Sequence, residues 1–205
     1  MNASDPRPQF ATAGAIALAV VRQVTPDDLN RPTPCTEFTV RDLLGHMIGV
    51  LRRPLALARG TDALAVPLVV SDIADEALAT TFATDLDDAI AAWADDALLD
   101  QAMSLPWVQG LGRGMLATYI PELTVHTWDL AQAIGVQPDW DVEVVEASLE
   151  SASTFLPEGP RAGVTLPNGV PIPFADAVPV GPDASGVDRL IAAYGRQPAP
   201  ATSAG

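Results

Sequence analysis

The chain has no lysine, one cysteine, two histidines and few aromatic residues, 5% in all. Each scarcity removes a class of explanation. A single cysteine, Cys35, rules out an intrachain disulfide and fits a reducing, cytoplasmic setting. All 11 basic residues are arginines, set against 26 acidic ones, and the net charge is −15. Such a polyanion repels phosphate backbones and anionic headgroups, so neither nucleic acid nor a membrane surface is an expected partner. Long apolar runs are missing as well. The stretch 11–21 is shorter than the ~20 residues a bilayer demands. The residues before it include Asp5 beside Arg7, and no small-residue cleavage site follows, so it reads as a buried helix rather than a leader.

What remains is rich in Ala, Leu and Val, with 48% hydrophobic and 18% charged residues. Such a composition supplies a core and leans helical. A chain of 205 residues suits one domain with a small appendage. Periodicity predicts helices over 8–23, 40–59, 86–98, 115–134 and 142–155, with a short last one over 187–194. Thr39 with Asp42 three positions on resembles a capping box and opens the second helix. Gly60 and Gly135 mark helix ends. Pro121 sits inside the fourth predicted helix, which implies a kink or a late start. Residues 61–71 are ambiguous. Gly110-Leu111-Gly112-Arg113-Gly114 reads as a loop; it lacks the Lys-Ser/Thr end of a phosphate cradle. Asn168-Gly169 at the centre of 166–170 signals a hairpin. The expected division is a helical bundle over 1–156, a hairpin and helix appendage over 157–196, and a disordered tail over 197–205.

The chemistry-bearing residues are few. His46 and His126 each lie in a strongly apolar helical stretch, where a lone histidine is ordinarily a structural residue. Glu122 changes that reading. Glu122 and His126 are four apart, so both side chains leave one helix face a turn from each other. A buried carboxylate and imidazole without partners are costly, and a metal ion satisfies both. The alternative is an ordinary i,i+4 hydrogen bond on a solvated face, although Ile120, Leu123, Val125 and Leu130 argue that much of the helix is buried. Helical bundles commonly build metal sites from carboxylates and histidines on facing helices. Two imidazoles and one carboxylate leave coordination positions open, the pattern of a catalytic rather than a structural site. That donor set suits zinc first, with nickel or iron as alternatives. Arg53, seven residues after His46, shares its helix face and is the candidate to hold an anionic substrate group, or else a surface arginine. Asp129 either orients a ligand or is solvated. Cys35 is either a small packed residue or a reactive thiol. With both histidines on a metal, none is left for a serine triad.

Three segments carry a family resemblance. Pro32-Thr33-Pro34-Cys35-Thr36-Glu37-Phe38-Thr39-Val40-Arg41-Asp42-Leu43-Leu44-Gly45-His46-Met47 resembles the front motif of the mycothiol-dependent maleylpyruvate isomerase metal-binding domain family. Glu122-Leu123-Thr124-Val125-His126-Thr127-Trp128-Asp129-Leu130-Ala131 resembles its second motif. Asp188-Arg189-Leu190-Ile191 with Gly195-Arg196-Gln197-Pro198 is similar to the ending of an actinobacterial branch. The resemblance implies a mainly α, DinB-like four-helix bundle with a metal centre near one end, here followed by a short C-terminal β-hairpin and helix. It implies a His on the second helix and a Glu and a His on a later one as ligands, which match His46, Glu122 and His126. It also implies thiol chemistry with mycothiol as co-substrate, as an isomerase or S-transferase. The C-terminal segment is much shorter than the isomerase's second domain.

The expected function is therefore that of a metal-dependent thiol transferase or isomerase. It would use one divalent ion, a low-molecular-weight thiol and a small electrophile, in a protein that forms a homodimer. A metal-dependent hydrolase in the same site, or a non-enzymatic metal-binding or interaction protein, are the alternatives.

Overall fold

The computed structural model describes residues 5–105, 108–157, 159–165, 172 and 174–198. Helix α1 (Arg7–Val21) carries Pro8 in its first turn, where a missing amide leaves no hydrogen bond unmade. Helix α2 (Val40–Ala58) opens on the expected capping box: the Thr39 hydroxyl accepts from the Asp42 amide at 3.2 Å, and the Asp42 carboxylate accepts from the Thr39 amide at 3.1 Å. Helix α3 covers Leu78–Ala92, not 86–98. Its buried stripe is Leu78, Phe82, Leu86 and Ala89. The outward Thr80, Thr84 and Asp87 dilute that pattern in the sequence, and the break at Trp93 starts a separate short helix, α4 (Asp96–Asp100).

Strands β1 (Ala102–Leu105) and β2 (Val108–Leu111) then pair antiparallel, with Ala102 opposite Leu111 and Leu105 opposite Val108. Helices α5 (Gly112–Ala117), α6 (Tyr119–Ile134), α7 (Val142–Phe155) and α8 (Gly186–Ala193) follow. Residues 110–114, read as loop, are thus the end of a strand and the start of a helix. The late start implied by Pro121 is a break at Thr118. Pro121 falls in the first turn of α6, where its absent amide is no loss. Gly135 ends α6 at φ 75°, a left-handed conformation that glycine adopts without strain.

The bundle is formed by α1, α3, α2 and α6, packed in that order around a ring. Between them lie Phe10, Leu43, Met47, Ile48, Phe82, Trp93, Leu123 and Leu130, all but fully buried. Each such side chain contributes roughly 1.5–3 kcal/mol by leaving water. Arg7 donates to the Trp93 and Ala94 carbonyls, which sets α1 antiparallel to α3. Arg52–Asp85 at 2.6 Å and Arg59–Asp88 at 3.2 Å set α2 parallel to α3.

Two parallel neighbours need a returning connection, and residues 61–74 provide it as an irregular strap along α2. The Val70 amide donates to the Gly45 carbonyl at 3.1 Å. A Cβ on Gly45 would strike the Val70 carbonyl, so glycine is what lets the strap lie this close. Helix α7 covers α6 and α1, and α8 lies on α7 and α6. Among the described residues the molecule is mainly helical, with one small two-stranded antiparallel sheet between α4 and α5. The hairpin expected around Asn168-Gly169 lies outside the described residues, as does the tail beyond Pro198. The Ile172 amide does donate to the Val164 carbonyl across that gap, at 3.2 Å. Among the described residues no helix is long and apolar enough to cross a membrane.

Candidate metal centre

His46 on α2 and Glu122 and His126 on α6 meet across the seam between the two helices. The Glu122 Oε2 atom lies 3.6 Å from His126 Nε2 and 4.0 Å from His46 Nε2. The imidazoles meet edge to face, with centroids 4.7 Å apart. Phe38 also lies against His46, its ring centroid 5.2 Å away. Both imidazoles are buried, whereas the Glu122 side chain is 30% exposed, so the carboxylate forms the open side of the cluster.

Each imidazole is oriented through its other nitrogen. His46 Nδ1 lies 2.9 Å from the Leu68 carbonyl. A carbonyl only accepts, so Nδ1 carries the proton and Nε2 presents its lone pair to Glu122 and His126. His126 Nδ1 lies 3.1 Å from Asp129 Oδ2, which fixes the same tautomer. Asp129 is fully buried and is gripped in turn by Arg196, with Nε at 3.2 Å from Oδ1 and Nη2 at 2.8 Å from Oδ2. Of the two readings of Asp129, the structure shows the buried, histidine-orienting one.

The electrostatics follow from this geometry. Burial, reinforced by the neighbouring His126, pushes His46 down to about 4. Burial also opposes charge on His126, but the hydrogen bond to Asp129 and the negative charge of nearby Glu122 outweigh that and hold it above the usual histidine value. Burial works against the Glu122 carboxylate, yet the two histidines keep its pKa below the ordinary one.

Could this set hold a cation? Donors around a tetrahedral ion at ~2.1 Å stand ~3.4 Å apart. The three ligand atoms lie within 4.8 Å of one another, and the two distances to Glu122 come within about half an ångström of that spacing. Two neutral imidazole nitrogens and a carboxylate suit a borderline divalent ion.

Cys35, His126 and Asp129 also cluster, but His126 Nδ1 and Asp129 are already committed to each other and to Arg196. Burial pushes the Cys35 thiol up against the opposing pull of Arg196, so it is a protonated thiol rather than a ready nucleophile. Arg53 sits two turns along α2 from His46 and donates to the Pro67 carbonyl at 2.9 Å. It thus braces the strap that supplies the Leu68 acceptor. The strap and the grip of Arg196 on Asp129 were not legible as site features, because each depends on chain segments brought together only by folding.

Comparison with known proteins places the chain in a family. A family model described as the mycothiol maleylpyruvate isomerase N-terminal domain matches residues 10–131. Two uncharacterized proteins of Mycobacterium tuberculosis, from strains CDC 1551 / Oshkosh and ATCC 25618 / H37Rv, are each 27% identical over 180 residues. Those alignments cover 87% of this chain and 90% of each relative. No solved structure matches the chain significantly.

Proposed function

This chain belongs to the mycothiol maleylpyruvate isomerase N-terminal domain family, and on that premise we propose that His46, Glu122 and His126 hold one divalent cation at which a low-molecular-weight thiol reacts with a small electrophile. The observation that carries this reading is the convergence of two Nε2 lone pairs on one partly exposed carboxylate, each imidazole turned by a bonded Nδ1. Such second partners are typical of metal-ligating histidines.

A bound cation supplies the positive field that favours a thiolate over a thiol, and the thiolate is the nucleophile. The chain's own residues do the rest. Leu68 and Asp129 keep the Nδ1 protons in place, so both Nε2 atoms stay available. Arg196 holds Asp129 ionised in a buried setting where a lone carboxylate would take up a proton. Phe38 and the bundle core exclude water from the inner side of His46. The carboxylate side stays open for reactants, and Arg53 is the cation placed to steer an anionic group toward it. Zinc is the proposed ion and mycothiol the proposed thiol, in an isomerase or S-transferase.

The test is metal content by mass spectrometry on protein purified without a metal-affinity tag, together with His46→Ala and Glu122→Ala. About one ion per chain, lost in both variants, with thiol-dependent turnover of an electrophile panel that vanishes in His126→Ala, is the expected result. A chain that neither carries nor takes up zinc or nickel would defeat the reading. Turnover of simple esters without thiol would redirect it to hydrolysis.

A further inference from the structure

The chain contains two tyrosines, Tyr119 and Tyr194, and folding sets both on or against α6, the helix that carries Glu122. Tyr119 opens α6 three residues before Glu122, which puts the two on one helix face. Tyr194 follows α8 and packs with Val125 and Trp128 of α6, two residues before the Arg196 that grips Asp129. The two residues are 6% and 5% exposed. A buried phenol ordinarily bonds to a protein acceptor. Among the described residues neither of these hydroxyls does. At the same time, no described side-chain oxygen or nitrogen is sealed from solvent without a partner. Each hydroxyl therefore keeps an opening although its ring is buried. Glu122 helps to raise the pKa of both phenols, whereas Arg53 pulls those of Tyr119 and His46 down. Arg53 has no carboxylate within ion-pair distance among the described residues, in a chain where acids outnumber bases 26 to 11.

We propose that Tyr119 and Tyr194 are ligand-binding residues of the His46–Glu122–His126 centre, their hydroxyls donating hydrogen bonds to an oxygen anion of the bound molecule while Arg53 balances its charge beside Tyr119. This rests on the reading of that centre as a substrate site. Burial, with Glu122 nearby, disfavours the phenolates, so both groups act as donors and not as bases. Two neutral donors and a guanidinium without a carboxylate partner among the described residues select an anionic acceptor such as a carboxylate. They penalise a neutral isostere, which leaves the guanidinium without a counter-charge.

Because there are only two tyrosines, 3-fluorotyrosine labelling gives two ¹⁹F resonances, assigned with Tyr119→Phe and Tyr194→Phe. The probe is acetate, with acetamide as its neutral isostere, added to zinc-treated protein. Both resonances should shift saturably with one common Kd for acetate and stay in place with acetamide. Each Phe variant should weaken acetate about tenfold, as expected for the loss of a hydrogen bond to a charged acceptor. Unmoved resonances, equal responses to acetate and acetamide, or unchanged acetate affinity in the variants overturn the proposal. Zinc content of the same samples separates the two readings. The Phe variants should hold as much zinc as the wild type, since the phenols are not ligands. A wild type without zinc defeats the metal reading, and the acetate titration of that protein still decides the role of the phenols.

Discussion

Asp129 is the residue through which most of the site's charge is balanced. It accepts from His126 and from two nitrogens of Arg196, and no solvent reaches it. Removing one member of a buried ion pair strands the other, at a cost of about 3–5 kcal/mol. Asp129→Asn should lose close to that range in urea denaturation, and its zinc affinity should fall about 10- to 100-fold, the usual effect of removing a carboxylate behind a metal-bound histidine. Wild-type stability would contradict the buried pair. Asp129 was visible in the sequence as a residue three after a histidine, but that spacing alone left a solvated carboxylate equally open. Only the arrival of Arg196, 67 residues away, separates the readings.

The two histidines also make a pH prediction at this scale. In metal-free protein, NMR titration should show His46 titrating well below His126. The folded pKa of His46 is below its unfolded value of 6.5, so the folded state binds that proton less readily. The stability this gives is complete above pH 6.5 and is lost as pH falls from there toward 4. His126 runs the other way, with its contribution present below 6.5 and fading as pH climbs through its raised pKa. A reversed order of the two curves would mean that the hydrogen bonds to Leu68 and Asp129 are wrongly assigned.

Among the elements, α1, α2, α7 and α8 follow from apolar periodicity and capping residues, and they lie within a few residues of the expected bounds. The strap over 61–74 does not follow. It has no period, and its course is set by a close approach to Gly45 that no local pattern encodes. Gly45→Ala tests it. The added methyl must push the Val70 carbonyl away and carry the Leu68 acceptor with it. A cost of about 1–3 kcal/mol is expected from such crowding, with weaker zinc binding, read by chemical denaturation and metal competition. Unchanged zinc affinity would show that the Leu68 bond does not orient His46.

The hairpin over 102–111 was illegible for a related reason. Its strands are four residues each, too short to show alternation above chance. Trp93 donates to the carbonyl of Pro54 at 2.9 Å, a bond between α2 and the end of α3. Trp93→Phe should cost about 0.5–1.5 kcal/mol by removing that bond from the seam between α2 and α3, measured as a shift of the urea midpoint at constant slope.

For the molecule as a whole, the charge of −15 implies self-repulsion in the compact state. Raising ionic strength from about 10 mM to about 150 mM shortens the screening length from ~30 Å to ~8 Å. The thermal midpoint should therefore rise, by about 2–4 °C for each kcal/mol relieved. A falling midpoint in calorimetry would show that the surface Arg–Asp pairs outweigh the repulsion.

The bond between Arg196 and Asp129 also sets an order of events during synthesis. At about 5–20 residues per second, the 67 residues between them take roughly 3–13 seconds to emerge. Through that interval the α6 face carries a carboxylate whose counter-charge has not yet been made, so it stays hydrated and His126 is not yet locked. The bundle can assemble first, and the segment that carries Tyr194 and Arg196 docks afterwards. A nascent chain that folds in this order passes through a state in which the bundle helices are in place and the centre is still soft.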